Sequence, residues 1–238
     1  MSLAKHLKSW LVWVLVTTAL LQVFWFLRVG GMAWLTPSST AVQRTEWLRI
    51  WRSSSNAQPN WSHTVLDRGL LPDPLRRAVI ASEDSRFLEH SGMDWQALRR
   101  AVEVNFSGQR SGVLGGSTIT QQLAKNMFLS GERQLLRKAQ EMVIAVGLEF
   151  WLSKAQILDI YLNHVEWGEG VFGAEAAAQR YFGQSAWTLN AQQSARLAVM
   201  LPSPKRFESE IGSRYLRERS SVIRRRMRLV DVPAKVDP

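Results

Sequence analysis

The 238-residue chain contains no cysteine, which excludes disulfides and thiolate-bound metals but suits a reducing or an oxidising compartment equally. Acidic residues are few beside basic ones, 20 against 30, and the formal net charge of +10 points to anionic partners: nucleic acid, a phospholipid surface or a phosphate-bearing substrate. No convincing alternating strand pattern, internal repeat or heptad run is present. One stretch lacks charge altogether. Ser9–Leu27, SWLVWVLVTTALLQVFWFL, runs 19 positions without a charged side chain and as a helix would extend about 28 Å, enough to cross a bilayer.

Trp10 and Trp25 sit where an aromatic belt would lie, with Lys5 and Lys8 before the run and Arg28 directly after it. A cleaved signal peptide is the competing reading. The run is long and no small-x-small cleavage site follows, so an uncleaved anchor is expected over 9–28, preceded by a short cytoplasmic tail at 1–8. The flanking charges favour the tail inside and the bulk of the chain outside, although charge alone does not fix the orientation.

Residues 29–70 carry turn-rich tracts, TPSS at Thr36–Ser39 and SSSNAQPN at Ser53–Asn60, around the helix-like TEWLRIWR of Thr45–Arg52. This reads as a stalk or a small membrane-proximal helix. From Leu71 onward, successive segments carry apolar residues at three- and four-residue spacing, and the Arg-rich YLRERSSVIRRRMRL reads as a final basic amphipathic helix. A mainly α domain over 71–238 is the expectation.

Three local patterns could carry chemistry. IASEDSRFLEHSGMDW places Glu83 and Asp84 side by side near Ile80 and Phe87, a costly arrangement unless the carboxylates are solvated, paired or used; a solvated helix end is the bland alternative. SGQRSGVLGGSTITQQLAKN holds Gly108, Gly112, Gly115 and Gly116 before a helix start at which Thr118 and Gln121 fit a capping box. It is either a flexible loop or an anion site, and it is not a Walker motif. Lys125 follows two turns later, and GERQLLRKAQE then spaces Arg133, Arg137 and Glu141 by four on one helix face. That face is either a salt-bridge ladder or, with several cations around one carboxylate, a diphosphate pocket.

The motifs EDSRFLEHSGMDW, GGSTITQQLAKN, RKAQE and SKAQILDIYLNHVEWGEGVFGAEAAAQRYFG, in this order from about Leu71 to Phe207, resemble those of the peptidoglycan glycosyltransferases, also called transglycosylases or family 51 glycosyltransferases. The SLAK at Ser2–Lys5 precedes the apolar run and has no later KTG partner. The resemblance is therefore to the monofunctional biosynthetic members rather than the bifunctional penicillin-binding proteins. One departure is Asp159, where the family more often has glutamate; a helix-surface change of little consequence is expected.

The resemblance implies a lysozyme-like helical fold with one N-terminal transmembrane helix, half embedded in the outer leaflet of the bacterial cytoplasmic membrane. It also implies polymerisation of lipid II into β-1,4 glycan strands with release of undecaprenyl diphosphate. By motif, Glu83 is the base on the acceptor 4-hydroxyl, and Lys125 and Arg133 hold the donor diphosphate. Glu141 orients this cationic group or a divalent cation, magnesium or manganese, if one is used. Ser117, Thr118, Gln121 and Gln122 are substrate-binding residues of the cleft, and Asp84, His90, Asp94 and Arg137 support the site. Expected partners are lipid II, the growing glycan, membrane lipids and other cell-wall synthesis or division proteins. A nucleic-acid binder would need a reading motif, and none is present. The rivals are a lysozyme-like enzyme that cleaves glycan and a catalytically silent cell-wall scaffold.

Overall fold

The computed structural model describes residues 3–53, 61–107, 115–129 and 135–235. Arg133, Gly108 and Gly112 lie outside the described residues. The fold is mainly helical. Helix α1 (Leu3–Gly31) is followed by α2 (Ala41–Ser53), β1 (Ser62–His63), α3 (Asp73–Glu83), α4 (Trp95–Ser107), α5 (Ile119–Phe128), α6 (Leu135–Trp151) and α7 (Lys154–His164). Then come β2 (Glu166–Gly168), β3 (Val171–Phe172), α8 (Ala174–Phe182), α9 (Ala191–Met200), α10 (Pro204–Glu208) and α11 (Arg214–Arg226).

The mainly α expectation holds, and three short strands among the described residues add to it. They form one small sheet in the order β1-β3-β2, with β1 parallel and β2 antiparallel to β3. At two or three residues each they are too short to show a period of two in sequence. Gly173, at φ +82°, closes this corner: a Cβ there would lie 2.6 Å from the Asn163 carbonyl oxygen, so only glycine fits.

Helix α7 is the centre of the core. It buries nine of its eleven residues, from Ala155 to His164, which is why its sequence is apolar nearly all round. Ser153 and Gln156 close its N-terminus as a capping box. Helix α5 packs between α6 and α7, while α3, α9 and α11 pack together on the other side. Trp167, Phe87, Phe172 and Tyr161 are fully buried between these layers.

Asp159 on α7 overturns the surface expectation. It is only 2 % exposed, its Oδ2 accepts the Gly69 N–H at 3.0 Å, and its Oδ1 lies 3.9 Å from Nε of Arg76, which is itself buried. Burial raises its pKa, opposed by the Gly69 bond and the Arg76 charge. In sequence the polar residue falls on a helix whose other faces are apolar, and nothing local reveals a cation arriving from α3.

Helix α1 is long and apolar enough to cross a bilayer from Lys5 to Gly31, and none of its most apolar window is buried in the protein. Its C-terminal half docks on α6. Gln22 and Gln140 exchange amide hydrogen bonds of 3.0 and 3.2 Å, and Phe26 packs against Phe150 and Trp151. Helix α2 packs on α5 and buries Ala41, Gln43 and Ile50.

Candidate active site

Glu83 is the last residue of α3, and Asp84 caps the helix with its N–H bonded to the Ile80 carbonyl. The two carboxylates diverge. Glu83 Oε2 accepts from Gln122 Nε2 at 3.0 Å, and Gln122 Oε1 in turn accepts from the Tyr161 hydroxyl at 2.8 Å. The buried phenol thereby fixes the amide so that its donor end faces Glu83. Burial holds the Tyr161 pKa well above its usual value, with the Glu83 and Asp84 charges adding to the rise, so the hydroxyl stays a donor. Burial also raises the Glu83 pKa; bonds from Gln122 and Ser82 oppose the rise, and the neighbouring Asp84 charge adds to it. The result is a carboxylate that holds a proton more strongly than a solvated glutamate does.

Asp84 is a structural hub. Its oxygens lie 3.0 and 3.1 Å from His90 Nε2, and Oδ2 accepts the Ile119 N–H at 3.0 Å, joining the end of α3 to the start of α5. Asp94 caps α4 through a 2.8 Å bond from the Ala97 N–H and faces Arg86 at 3.3 Å. Asp84, His90 and Asp94 thus tie the end of α3 to the starts of α4 and α5.

Thr118 and Gln121 do something more local than line a cleft. They form the capping box of α5, and the Thr118 hydroxyl donates to the Gly92 carbonyl at 2.7 Å. Gly92, at φ +86°, lies where a Cβ would crowd Ala145 and Glu149. Thr118 is almost wholly buried, so it shapes the loop that carries His90 rather than meeting solvent. Gln121 does border a cavity of about 100 Å³, with Ser117, Lys138 and Met142 on its wall.

Glu141 is 3 % exposed and is ion-paired to Lys138, which also reaches Ser117 Oγ at 3.3 Å. Glu141 thus pairs with a cation on its own helix, Lys138, three residues before it. Lys125 lies on the exposed side of α5, one turn beyond Gln121 and Gln122. Among the described residues no three His, Asp or Glu side chains converge as a metal cage, and the Glu141 carboxylate is already engaged by an ammonium. These residues do not by themselves fit a magnesium or manganese site, and the chemistry below is not routed through one.

Two further contributors escape sequence reading. Tyr161 sits within the apolar run of α7 and shows its role only through Gln122. Lys154 donates to the His90 carbonyl at 2.6 Å and pairs with Glu149 at 2.7 Å, while Thr120 donates to the same Glu149 oxygen at 2.6 Å. The Lys154 ammonium also lies 4.5 Å from the Phe87 ring centroid. This network braces the His90 loop from below.

A helical domain with a half-buried glutamate of raised pKa at a helix end, beside a glutamine, is compatible with a known class. Residues 53–228 match the family model described as Transglycosylase, and the chain belongs to that family. Among curated proteins it is 47 % identical over 234 residues to the biosynthetic peptidoglycan transglycosylase of Janthinobacterium sp. (strain Marseille), covering 98 % of this chain and 100 % of that protein. It is 50 % identical over 200 residues to the protein of the same description from Bordetella avium (strain 197N), covering 83 % and 82 % of the two chains.

Proposed function

We propose that the chain is a membrane-anchored peptidoglycan glycosyltransferase that joins lipid II units into glycan strands, with Glu83 as the base. The observation that carries this reading is the Tyr161–Gln122–Glu83 chain of hydrogen bonds, which holds a half-buried carboxylate of raised pKa at a helix end. A sugar hydroxyl attacking an anomeric carbon must lose its proton as the new bond forms, and a positioned carboxylate with a pKa nearer to neutrality takes it best. The leaving diphosphate is stabilised by positive charge, which Lys125, Arg133 and Lys138 supply. Glu141 holds Lys138 in place for that task, and Ser117, Gln121 and Gln122 border the substrate path.

The membrane placement rests on α1 and on two exposed apolar faces. Trp95, Leu98, Val102 and Phe106 are exposed along α4 at helical spacing, as are Val143, Val146 and Phe150 along α6, the helix on which α1 docks. A bilayer surface would cover them and would present the lipid-linked substrate to the cleft. In this arrangement α1 spans the cytoplasmic membrane and the domain lies on its outer face.

A glycan-cleaving enzyme is the second reading, because a glutamate of raised pKa would serve equally as a general acid. It leaves the cationic wall unexplained, since its substrate carries no diphosphate. The test is to give the detergent-solubilised full chain purified lipid II and to resolve the products on a gel. Polymer of increasing length supports the proposal. Shortening of added glycan strands without polymerisation would establish the cleaving enzyme, and no reaction would leave a scaffold.

A further inference from the structure

Between the end of α1 and the start of α2 lies a cavity of about 370 Å³ lined by Arg28, Ser38, Ser39 and Arg44 together with Met127 and Phe128 of α5. Arg28 directly follows the apolar run, and its guanidinium lies 5.6 Å from the ring centroids of both Trp25 and Phe128. Arg44, in the first turn of α2, donates to Ser39 Oγ at 3.1 Å. Neither arginine has a carboxylate partner among the described residues. Helix α2 begins two residues after Ser39, so the positive end of a 13-residue helix adds to the two cations.

An adjoining cavity of about 410 Å³ shares Ser38, Ser39 and Arg44 and extends past Gln43 to Trp47 and Trp61. Gln43 is 2 % exposed and its Nε2 has no hydrogen-bond partner. A buried amide donor without an acceptor is costly and marks a place where an acceptor is wanted. The polar side chains of the trough are therefore dominated by donors: two guanidinium groups, an amide and serine hydroxyls, with no acidic residue on either wall. Around it, Trp34, Leu35, Trp47, Leu48 and Trp51 are exposed, as at an aromatic and aliphatic membrane boundary.

We propose that this trough is a lipid-headgroup site that binds the phosphate of an anionic glycerophospholipid beside the membrane end of α1. The proposal rests on the reading of α1 as a membrane span. Donors and cations face the phosphate oxygens, while the exposed tryptophans and leucines rest among the upper acyl and glycerol groups. A lipid held here ties α2 and the C-terminal end of α5, one turn beyond Lys125, to the leaflet surface.

The test is native mass spectrometry of the full chain from detergent micelles, titrated with dioleoylphosphatidylglycerol or dioleoylphosphatidylcholine. One saturable phosphatidylglycerol site is expected, with weaker phosphatidylcholine binding. The double variant Arg28→Gln/Arg44→Gln should bind phosphatidylglycerol roughly ten- to a hundredfold more weakly, the loss of two charge-assisted contacts. The variant Arg28→Lys/Arg44→Lys, which keeps the charge, should retain most of the binding and so separates charge loss from misfolding. Arg224→Gln/Arg225→Gln on α11 should bind as the wild type does. Equal weakening in the α11 variant, equal affinity for the two lipids, or displacement of phosphatidylglycerol by equimolar undecaprenyl diphosphate would each overturn the site. Insertion of α1 is read separately, from carbonate-resistant association with phosphatidylcholine vesicles. If the chain does not insert, the proposal falls with the span; if it inserts and the lipid binding is diffuse, the headgroup site alone falls.

Discussion

Helices α3 and α4 have similar lengths, 11 and 13 residues, and both carry a clear amphipathic pattern, yet α3 buries residues from Leu75 to Ala81 while α4 buries only Ala101. The same periodic signal therefore has two outcomes. On α3 the apolar face meets α9 and α11 and fixes the end of the helix, where Glu83 stands. On α4 it stays exposed, with Phe106 at 88 % and Trp95 at 58 %. The base proposed at Glu83 needs a support that does not move, whereas the membrane contact proposed for α4 needs an apolar face still uncovered by protein.

Truncating each face should give the sharpest contrast. Leu75→Ala removes a fully buried side chain from the apolar face of α3 and should destabilise the protein by about 2–5 kcal/mol, whereas Phe106→Ala on the exposed face of α4 should change stability by less than about 0.5 kcal/mol. Chemical denaturation in one detergent measures both. Comparable losses would mean that α4 is as firmly packed as α3. Phe106→Ala should instead reduce retention of the protein on vesicles.

A smaller effect follows at the hub. Asp84→Asn keeps the side-chain shape but weakens its bonds to His90 and the Ile119 N–H, and should cost about 1–3 kcal/mol while lowering activity in parallel. An activity loss with unchanged stability would instead place Asp84 in the chemistry.

The smallest expected change is a displacement of the pH profile. Gln122→Met removes the donor that stabilises ionised Glu83, so the Glu83 pKa should rise further above its already raised value. The base must be ionised to act, so the acid limb of the rate profile should move to higher pH. An unmoved limb would remove Gln122 from the control of Glu83.

Much of this arrangement is legible in the sequence because its signals are local. The apolar run of α1, the Thr118–Gln121 capping box and the adjacency of Glu83 and Asp84 each lie within a few residues and have a direct physical meaning. What is missed depends on chain segments meeting. Tyr161 reaches Gln122 from α7, and Arg76 reaches Asp159 from α3, so neither partnership leaves a trace in periodicity. The Lys138–Glu141 pair lies three residues apart on one helix, a spacing that permits the contact without singling it out among neighbouring cations.

The most direct measurement is the polymerisation rate of Glu83→Gln on lipid II, taken together with its Tm across pH. The variant should lose roughly a hundredfold to ten-thousandfold in rate, the usual worth of a positioned base. Its stability should not fall. The raised pKa means that the folded wild type holds this proton more strongly than the unfolded chain does, so the contribution of Glu83 to stability declines as pH rises from the ordinary glutamate value through the raised one. Glutamine carries no such charge, so above that window the variant should melt at the same temperature as the wild type or higher. A variant that polymerises at the normal rate, or one that is inactive only because it unfolds, would contradict the assignment of Glu83 as the base.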